Sequence, residues 1–230
     1  MVKRGTTRSD QAGTAAERGR PAAASRPRAR RLAPEARRRG ILDAALIVFA
    51  ENGYAGARMD DVAARAGVAK GTLYLYFEDK KALFEGLVHD AADPILGVIE
   101  QRVASFEGNT RELLATVFAH LAAQAVHSPR RHLIKLMMGE GERFPELADF
   151  YYREVVSRGI AVLRSINARA LARGEITSDA GLRFPQLIMA PLLVAVMWES
   201  LFARNEPLDT SDMLMTHVDL VLRGLGWREP

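Results

Sequence analysis

Residues Met59–Lys80 read MDDVAARAGVAKGTLYLYFEDK and predict two short helices joined by a tight turn. The first helix has small apolar residues at helical spacing, at Val62, Ala63 and Ala66. Two aspartates precede them, and carboxylates suit the positive end of a helix dipole. Gly67 then permits a sharp turn, because it lacks the side chain that resists a left-handed backbone. A short helix pair with a glycine-containing turn is the geometry that places a second helix in the major groove of DNA.

The second helix of this stretch begins near Lys70 and has an inward and an outward face. Leu73 and Phe77 lie four residues apart, so we expect both to face the core. Long polar and aromatic side chains are left on the other faces, from Lys70, Thr72, Tyr74 and Tyr76. For Tyr74, partial burial against the preceding helix is the alternative to a DNA contact.

Two runs in this region, GVAKGTLYLYF at 67–77 and DKKALF at 79–84, resemble the recognition segment of the TetR/AcrR family of transcriptional regulators. Upstream, ILDAA at 41–45 and FAENGY at 49–54 resemble the first helix of that family. The resemblance covers Pro34 to Phe84. It implies an all-α fold, with a three-helix DNA-binding head at residues 34–82. A larger C-terminal domain for ligand binding and dimerisation would follow at residues 83–230.

The resemblance also implies a function. We expect a cytoplasmic, ligand-responsive regulator, most simply a repressor that a small apolar or amphipathic effector releases from double-stranded operator DNA. Activation is the alternative sign of regulation. A helical ligand-binding protein whose head lacks sequence-specific DNA binding is the alternative of another class.

The predicted DNA contacts combine cations with residues of the second helix. They are Arg37, Arg58, Lys70, Gly71, Thr72, Tyr74, Tyr76 and Lys80. Lysines would hold phosphates, Gly71 would let the backbone approach closely, and Thr72 could touch a base edge or a thymine methyl group. Two positions depart from the family pattern. Arg58 precedes the second helix and Ala69 the third, where a capping hydroxyl is usual. A missing cap costs roughly 0.5–2 kcal/mol.

Charge is distributed unevenly along the chain. Residues 1–40 hold 12 of the 32 Lys and Arg residues but 3 of the 28 Asp and Glu residues, so their net charge is +9, against −5 for residues 41–230. Residues 1–33 are also poor in large apolar side chains, which predicts a disordered basic arm. The arm could contact DNA or could be a solvated tail. Arg37, Arg38 and Arg39 could likewise clamp phosphates or form a solvated face.

The remaining sequence predicts helices and a homodimer. Asp79 and Asn109 are predicted caps, Pro94 a predicted kink, and a long helix is predicted from Phe144 to Arg173. The run from Leu187 to Phe202 is almost wholly apolar, yet it is too short for a bilayer span. A helix that is apolar all round must be buried all round. We therefore expect a homodimer, and the resemblance implies that its interface is formed by helices near 185–203 and 210–223.

An effector pocket is predicted in the C-terminal half, as the resemblance implies. Aromatic, Met and His residues of the C-terminal half could line it or could be ordinary core. The candidates are Phe118, His120, Met137, Phe144, Tyr151, Met189 and Trp198. There is no cysteine, no phosphate-binding glycine loop and no pair of histidines at a metal-binding spacing with a third ligand. No catalytic residue, metal or cofactor is therefore predicted.

Overall fold

The computed structural model describes residues 33–229, which form α-helices and two π-helical turns without any strand. The all-α prediction is confirmed, whereas the predicted arm lies outside the described residues apart from Ala33. The α-helices are α1 Pro34–Gly56, α2 Met59–Arg65, α3 Lys70–Tyr76, α4 Lys80–Ser105, α5 Thr110–Leu121, α6 Arg131–Glu140, α7 Pro145–Tyr151, α8 Ser157–Ala172, α9 Ala180–Arg183, α10 Pro185–Leu201 and α11 Thr210–Gly224. The π turns are Ala122–Val126 and Tyr152–Val156.

The head, α1 to α3, is built around the apolar stripe of α1. Ile41, Ala45, Val48 and Phe49 are all buried, as their spacing predicts. The core that they form continues into residues 83–150, through Leu83, Phe84 and Leu87 of α4, Leu133 and Leu136 of α6, and Leu147 and Phe150 of α7. The head is therefore packed directly on α4, α6 and α7.

A second core fills the rest of the C-terminal half. It joins one face each of α5, α8, α10 and α11 to the end of α4. Its fully buried side chains include Leu113, Phe118, Leu163, Ala195 and Leu214. None of the helices in residues 33–229 combines the length and apolarity that a membrane span requires.

Three helix starts have side-chain caps, and two of them, Asp79 and Asn109, are predicted from the sequence. The Asp79 carboxylate accepts a hydrogen bond from the Ala82 N–H (2.7 Å), and the Asp209 carboxylate accepts one from the Asp212 N–H (2.9 Å). Asn109 and Glu112 form a reciprocal capping box. Each of these side chains supplies an acceptor to a backbone group that has no partner inside its helix.

The helical boundaries differ from the predictions at several points. The predicted long helix from residue 144 to 173 consists of α7, the second π turn and α8 in unbroken succession. In α1, Gly53 interrupts the helical dihedral angles with φ +66°, and the helix resumes to Gly56. Pro94 lies inside α4, which continues from Lys80 to Ser105.

Candidate nucleic-acid interface

The turn between α2 and α3 is closed by backbone hydrogen bonds around Gly67. The Val68 N–H donates to the Ala63 carbonyl (3.0 Å) and the Gly67 N–H donates to the Ala64 carbonyl (3.2 Å). Gly67 has φ +65°, which a residue with a side chain resists. The turn thus has the glycine-dependent geometry that the sequence predicts.

One face of each short helix anchors it to the head. Val62 and Ala63 of α2 are buried, as are Leu73 in α3 and Phe77 just after it. The inward assignment of Leu73 and Phe77 is confirmed. The opposite face of α3 therefore points to solvent.

Polar and aromatic groups make up most of that exposed face. Lys70, Gly71 and Tyr74 are exposed, with Tyr74 at 42%, while Thr72 is half-buried. A Cβ atom built on Gly71 would meet no atom within 4 Å, so internal packing does not require glycine there. A glycine at this exposed position also leaves room for the backbone to be approached closely from outside.

Leu75 also belongs to this face, although it is not among the DNA contacts predicted from the sequence. Its side chain is 86% exposed, the largest value among the exposed large apolar residues of the described chain. An exposed leucine beside Tyr74 offers an apolar surface of the kind that contacts a thymine methyl group. Its position two residues from Leu73 and Phe77, both inward, was the signal that could have identified it.

Tyr76 and Arg37 are less exposed than Tyr74. Tyr76 is half-buried and packs against the head core, and Arg37 is half-buried near the start of α1. Beside Arg37, the guanidinium carbon of Arg38 lies 5.4 Å from the ring centre of Phe77, which gives Arg38 a packing role within the head.

The cations at the helix starts have different partners. Neither Arg58, before α2, nor Ala69, before α3, donates or accepts a side-chain capping bond, as the sequence predicts. Lys70 pairs with Asp60 across the helix pair, with 2.7 Å from Nζ to Oδ1. This hydrogen bond raises the pKa of the Lys70 ammonium and lowers the pKa of the Asp60 carboxyl. Both side chains are exposed, so the pair contributes little to stability.

Lys80 is predicted to contact a phosphate, but its charge is not presented to solvent. Its ammonium donates to the carbonyl oxygens of Tyr54 (2.7 Å), Ala55 (3.1 Å) and Ala57 (3.1 Å). It also lies 4.7 Å from the ring centre of Tyr54. Its three protons are thus engaged by the end of α1, and partial burial lowers its pKa. The phosphate role assigned to Lys80 is replaced by a role in holding α1 to α4.

The predicted effector residues are not brought together. Tyr151 lines a cavity between α4, α6 and the two π turns, and the other six residues do not line it. Phe118 and Met189 belong to the C-terminal core, and the Trp198 indole N–H donates to the Glu206 carbonyl (2.9 Å). His120 is half-buried, and its Nε2 has no hydrogen-bond partner within residues 33–229.

The other two effector candidates lie where the head meets the C-terminal half. Met137 packs against the head core. The Phe144 ring meets the Tyr54 ring edge-on, with centroids 4.9 Å apart. Their aromatic or thioether character, which suggested a pocket, is used here for packing.

Comparison with known proteins adds to this geometry. The profile described as "Bacterial regulatory proteins, tetR family" matches residues 41–87, and that described as "Tetracyclin repressor-like, C-terminal domain" matches residues 106–221. The chain is 39% identical over 113 residues to the HTH-type transcriptional activator FasR of Mycolicibacterium smegmatis. That match spans 48% of this chain and about half, 51%, of FasR.

Solved structures share the fold over a longer range. A putative TetR-family regulator from Mesorhizobium loti has a TM-score of 0.65 and 25% identity, covering 83% of this chain and 95% of its own. FadR of Bacillus subtilis, solved with stearoyl-CoA, has a TM-score of 0.65 and 23% identity, covering 81% and 98%. The C-terminal profile covers half of the chain, and the N-terminal profile coincides with the helix-turn-helix described above. The chain therefore belongs to the tetR family of bacterial transcriptional regulators.

Proposed function

We propose that this protein binds operator DNA as a homodimer through α3 and leaves it when a small molecule occupies the C-terminal half. The observation that carries the proposal is the two-sided character of α3. Leu73 anchors the helix, while Tyr74 and Leu75 are held out to solvent. Single exposed apolar side chains are common on soluble proteins, but these two lie on the outward face of the second helix of a helix-turn-helix, which is the face that meets the major groove.

The DNA contacts that we propose combine two kinds of recognition. Lys70, Arg37 and Arg58 supply phosphate contacts, which set position and salt dependence. Gly71, Thr72, Tyr74 and Leu75 supply the face that meets base edges, with Tyr76 at its margin. Lys80 acts indirectly, because it keeps α1 and α4 together.

A second copy of the chain is the partner that we propose for α10 and α11. One face of α10 is buried in its own core through Ile188, Leu192 and Ala195. The opposite side leaves large apolar residues exposed, as does one position of α11. These are Phe184, Leu187, Leu193, Val194, Leu201, Phe202 and Leu220. A dimer through this surface would also present two α3 helices to successive major grooves, roughly 34–36 Å apart.

Effector control follows from how the head is attached. Tyr54 of α1 contacts Phe144, which follows α6, and the Glu140 side chain of α6 packs against Gly53. A displacement of α6 would therefore be transmitted to α1 and to the angle of α3. An effector shifts the population only if it binds one arrangement more tightly than the other. We propose no turnover of the effector and no cofactor.

The experiment selects random duplex DNA on purified full-length protein and then measures gel shifts over a salt series. We expect an enriched site of two-fold symmetry, whereas salt-sensitive binding without sequence preference would overturn the proposal. A chain lacking residues 1–33 tests the proposed arm, whose loss should flatten the salt dependence. A reporter gene placed behind the selected site distinguishes repression from activation. Activation is tested because the relative FasR is named a transcriptional activator.

A further inference from the structure

An apolar cavity of about 90 Å³ lies between α4, α5, α6 and α7, below the head. Small and aliphatic side chains form most of its wall. These are Ala91, Ala92, Ile95, Leu96, Leu121, Ala125, Leu133, Ile134 and Val155. Arg130 and Tyr151 bring the only charged and hydroxyl groups to the lining. The cavity thus has an apolar body with two polar groups.

Both π turns of the described chain border this cavity. Ala125 belongs to the first π turn and Val155 to the second, and Tyr151 immediately precedes the second. Each turn is closed by a bond across five residues, from the His127 N–H to the Ala122 carbonyl (2.9 Å) and from the Ser157 N–H to the Tyr152 carbonyl. π turns are rare and occur often at functional sites. Two of them around one cavity therefore add a backbone feature to the chemistry of its side chains.

Tyr151 contributes a phenol side chain to the wall of this cavity. Its phenol is neutral at physiological pH, and burial raises its pKa further, from the usual 10 to about 12. A neutral phenol donates its proton to an oxygen acceptor, such as a carboxylate or carbonyl.

Arg130 supplies an uncompensated positive charge. Its guanidinium donates to the Gln124 side-chain oxygen (3.2 Å), and it forms no ion pair with any carboxylate of residues 33–229. Half-buried charges are usually paired, because desolvation is costly. Arg130 also precedes the N-terminus of α6, whose dipole adds positive potential.

The other cations of α6 do not all face this cavity. Lys135 and His132 line a different pocket, beside Phe49 and Gly53. Arg130 is therefore the cation at which an anion in this cavity would be stabilised.

We propose that the effector is an anionic amphiphile, with an alkyl or acyl chain in this cavity and its acidic group at Arg130 and Tyr151. The inference rests on the proposed function, since it names the class of molecule to which the regulator responds. An alkyl or acyl chain can make apolar contacts with the lining. An anionic head group can form an ion pair with the half-buried Arg130 guanidinium.

The size of the cavity couples binding to movement. An engineered apolar cavity of about 150 Å³ in another protein is large enough for benzene, so a chain of ten or more carbons must push these walls apart. Leu133 and Ile134 place α6 in the wall, and α6 packs on α1 through Leu136 and the head core. Widening the cavity therefore displaces the helix that holds the head.

The test measures binding by calorimetry with full-length protein, using dodecanoate, dodecanol and dodecyltrimethylammonium below their micelle concentrations. We expect dodecanoate to bind at least tenfold more tightly than the alcohol or the cation. Dodecanoyl-coenzyme A carries the same chain with a phosphate-bearing head. Comparing its affinity with that of dodecanoate distinguishes an acyl-coenzyme A effector from a free fatty acid. Tight binding of either anion supports the proposal.

Variants locate the site. Arg130→Gln should weaken binding of the preferred anion at least tenfold and leave dodecanol unaffected, whereas Arg102→Gln, which removes an exposed cation at the end of α4, should change neither. Ala92→Phe fills the cavity and should abolish binding of both the preferred anion and dodecanol. Circular dichroism checks that this variant is folded. Equal affinity for acid and alcohol, or an Arg130→Gln variant with unchanged affinity, would overturn the proposal.

Operator binding is measured separately without any amphiphile. If the operator is bound but neither anion binds, this inference fails and the proposed regulator stands. If no operator can be selected, the proposed function fails whatever the amphiphiles do.

Discussion

The Lys80 ammonium closes the end of α1 by donating to the Tyr54 carbonyl oxygen at 2.7 Å, while lying over the Tyr54 ring. The Asp79 carboxylate next to it caps α4. Asp79 thus caps the fourth helix, and Lys80 joins the start of that helix to the end of the first. This joint supports the platform on which α3 is presented.

Lys80→Ala should therefore destabilise the head. Hydrogen bonds from a charged donor contribute about 1.5–3 kcal/mol, and the variant leaves three carbonyls without this donor. Urea unfolding measures the loss. Lys81→Ala removes an exposed lysine one residue later and should stay within about 0.5 kcal/mol of the parent. Unchanged stability in Lys80→Ala, combined with weaker operator binding, would restore the phosphate role.

Tyr74→Ala and Leu75→Ala should weaken operator binding without unfolding the protein. Both side chains are exposed, so little packing is lost, whereas a base contact contributes about 1–3 kcal/mol. We expect affinity to fall about tenfold or more in a gel shift with the selected operator. Val98→Ala, an exposed apolar truncation on α4, is the matched control. Parental affinity in both α3 variants would remove this face from the interface.

Leu187→Glu combined with Leu220→Glu should produce a monomer. The two side chains are 64% and 59% exposed in the single chain, and a buried unpaired carboxylate would oppose association. Sedimentation velocity reports the mass, and we expect operator affinity to fall with dimerisation. Met138→Glu places the same charge on an exposed apolar position of α6 and should leave the mass unchanged. A double variant that sediments as a dimer would place the interface elsewhere.

Acid should destabilise the protein in part through His132 and His217. Burial lowers the pKa of both imidazoles below the usual 6.5, and His217 lies between α10 and α11, with Nε2 3.2 Å from the Ile188 carbonyl oxygen. The folded protein holds these protons less tightly than the unfolded chain. Their contribution to stability is therefore complete above about pH 6.5 and is lost as pH falls through the lowered pKa values.

Urea unfolding at pH 7.5 and pH 5 measures this dependence. The unfolding free energy should decrease less between the two pH values in His132→Asn/His217→Asn than in the parent. An identical decrease in both proteins would show that these histidines do not contribute to the acid sensitivity.

Local features of the chain could be predicted because their causes lie within a few residues. The Asn109–Glu112 capping box and the Gly67 turn each depend on neighbours along the chain. The inward positions of Leu73 and Phe77 follow from helical spacing alone. The same reasoning missed Leu75, because composition drew attention to polar groups on a face whose most exposed member is aliphatic.

Side-chain roles that depend on distant partners could not be predicted. Phe144 was expected at an effector pocket, but it packs on Tyr54, which is 90 positions earlier in the sequence. The cavity at Arg130 and Tyr151 exists because α4, α6 and two π turns meet there.

By itself, the sequence determined the helices, their caps and the inward face of α3, since helical periodicity and capping are short-range properties. Only the tertiary structure decided which cations are free for a partner. Lys80 and Lys70 are both lysines at the first position of a helix. Three carbonyl oxygens accept hydrogen bonds from Lys80, whereas Lys70 pairs only with an exposed carboxylate. Charge is a property of the residue, but its availability depends on what the fold brings within hydrogen-bonding distance.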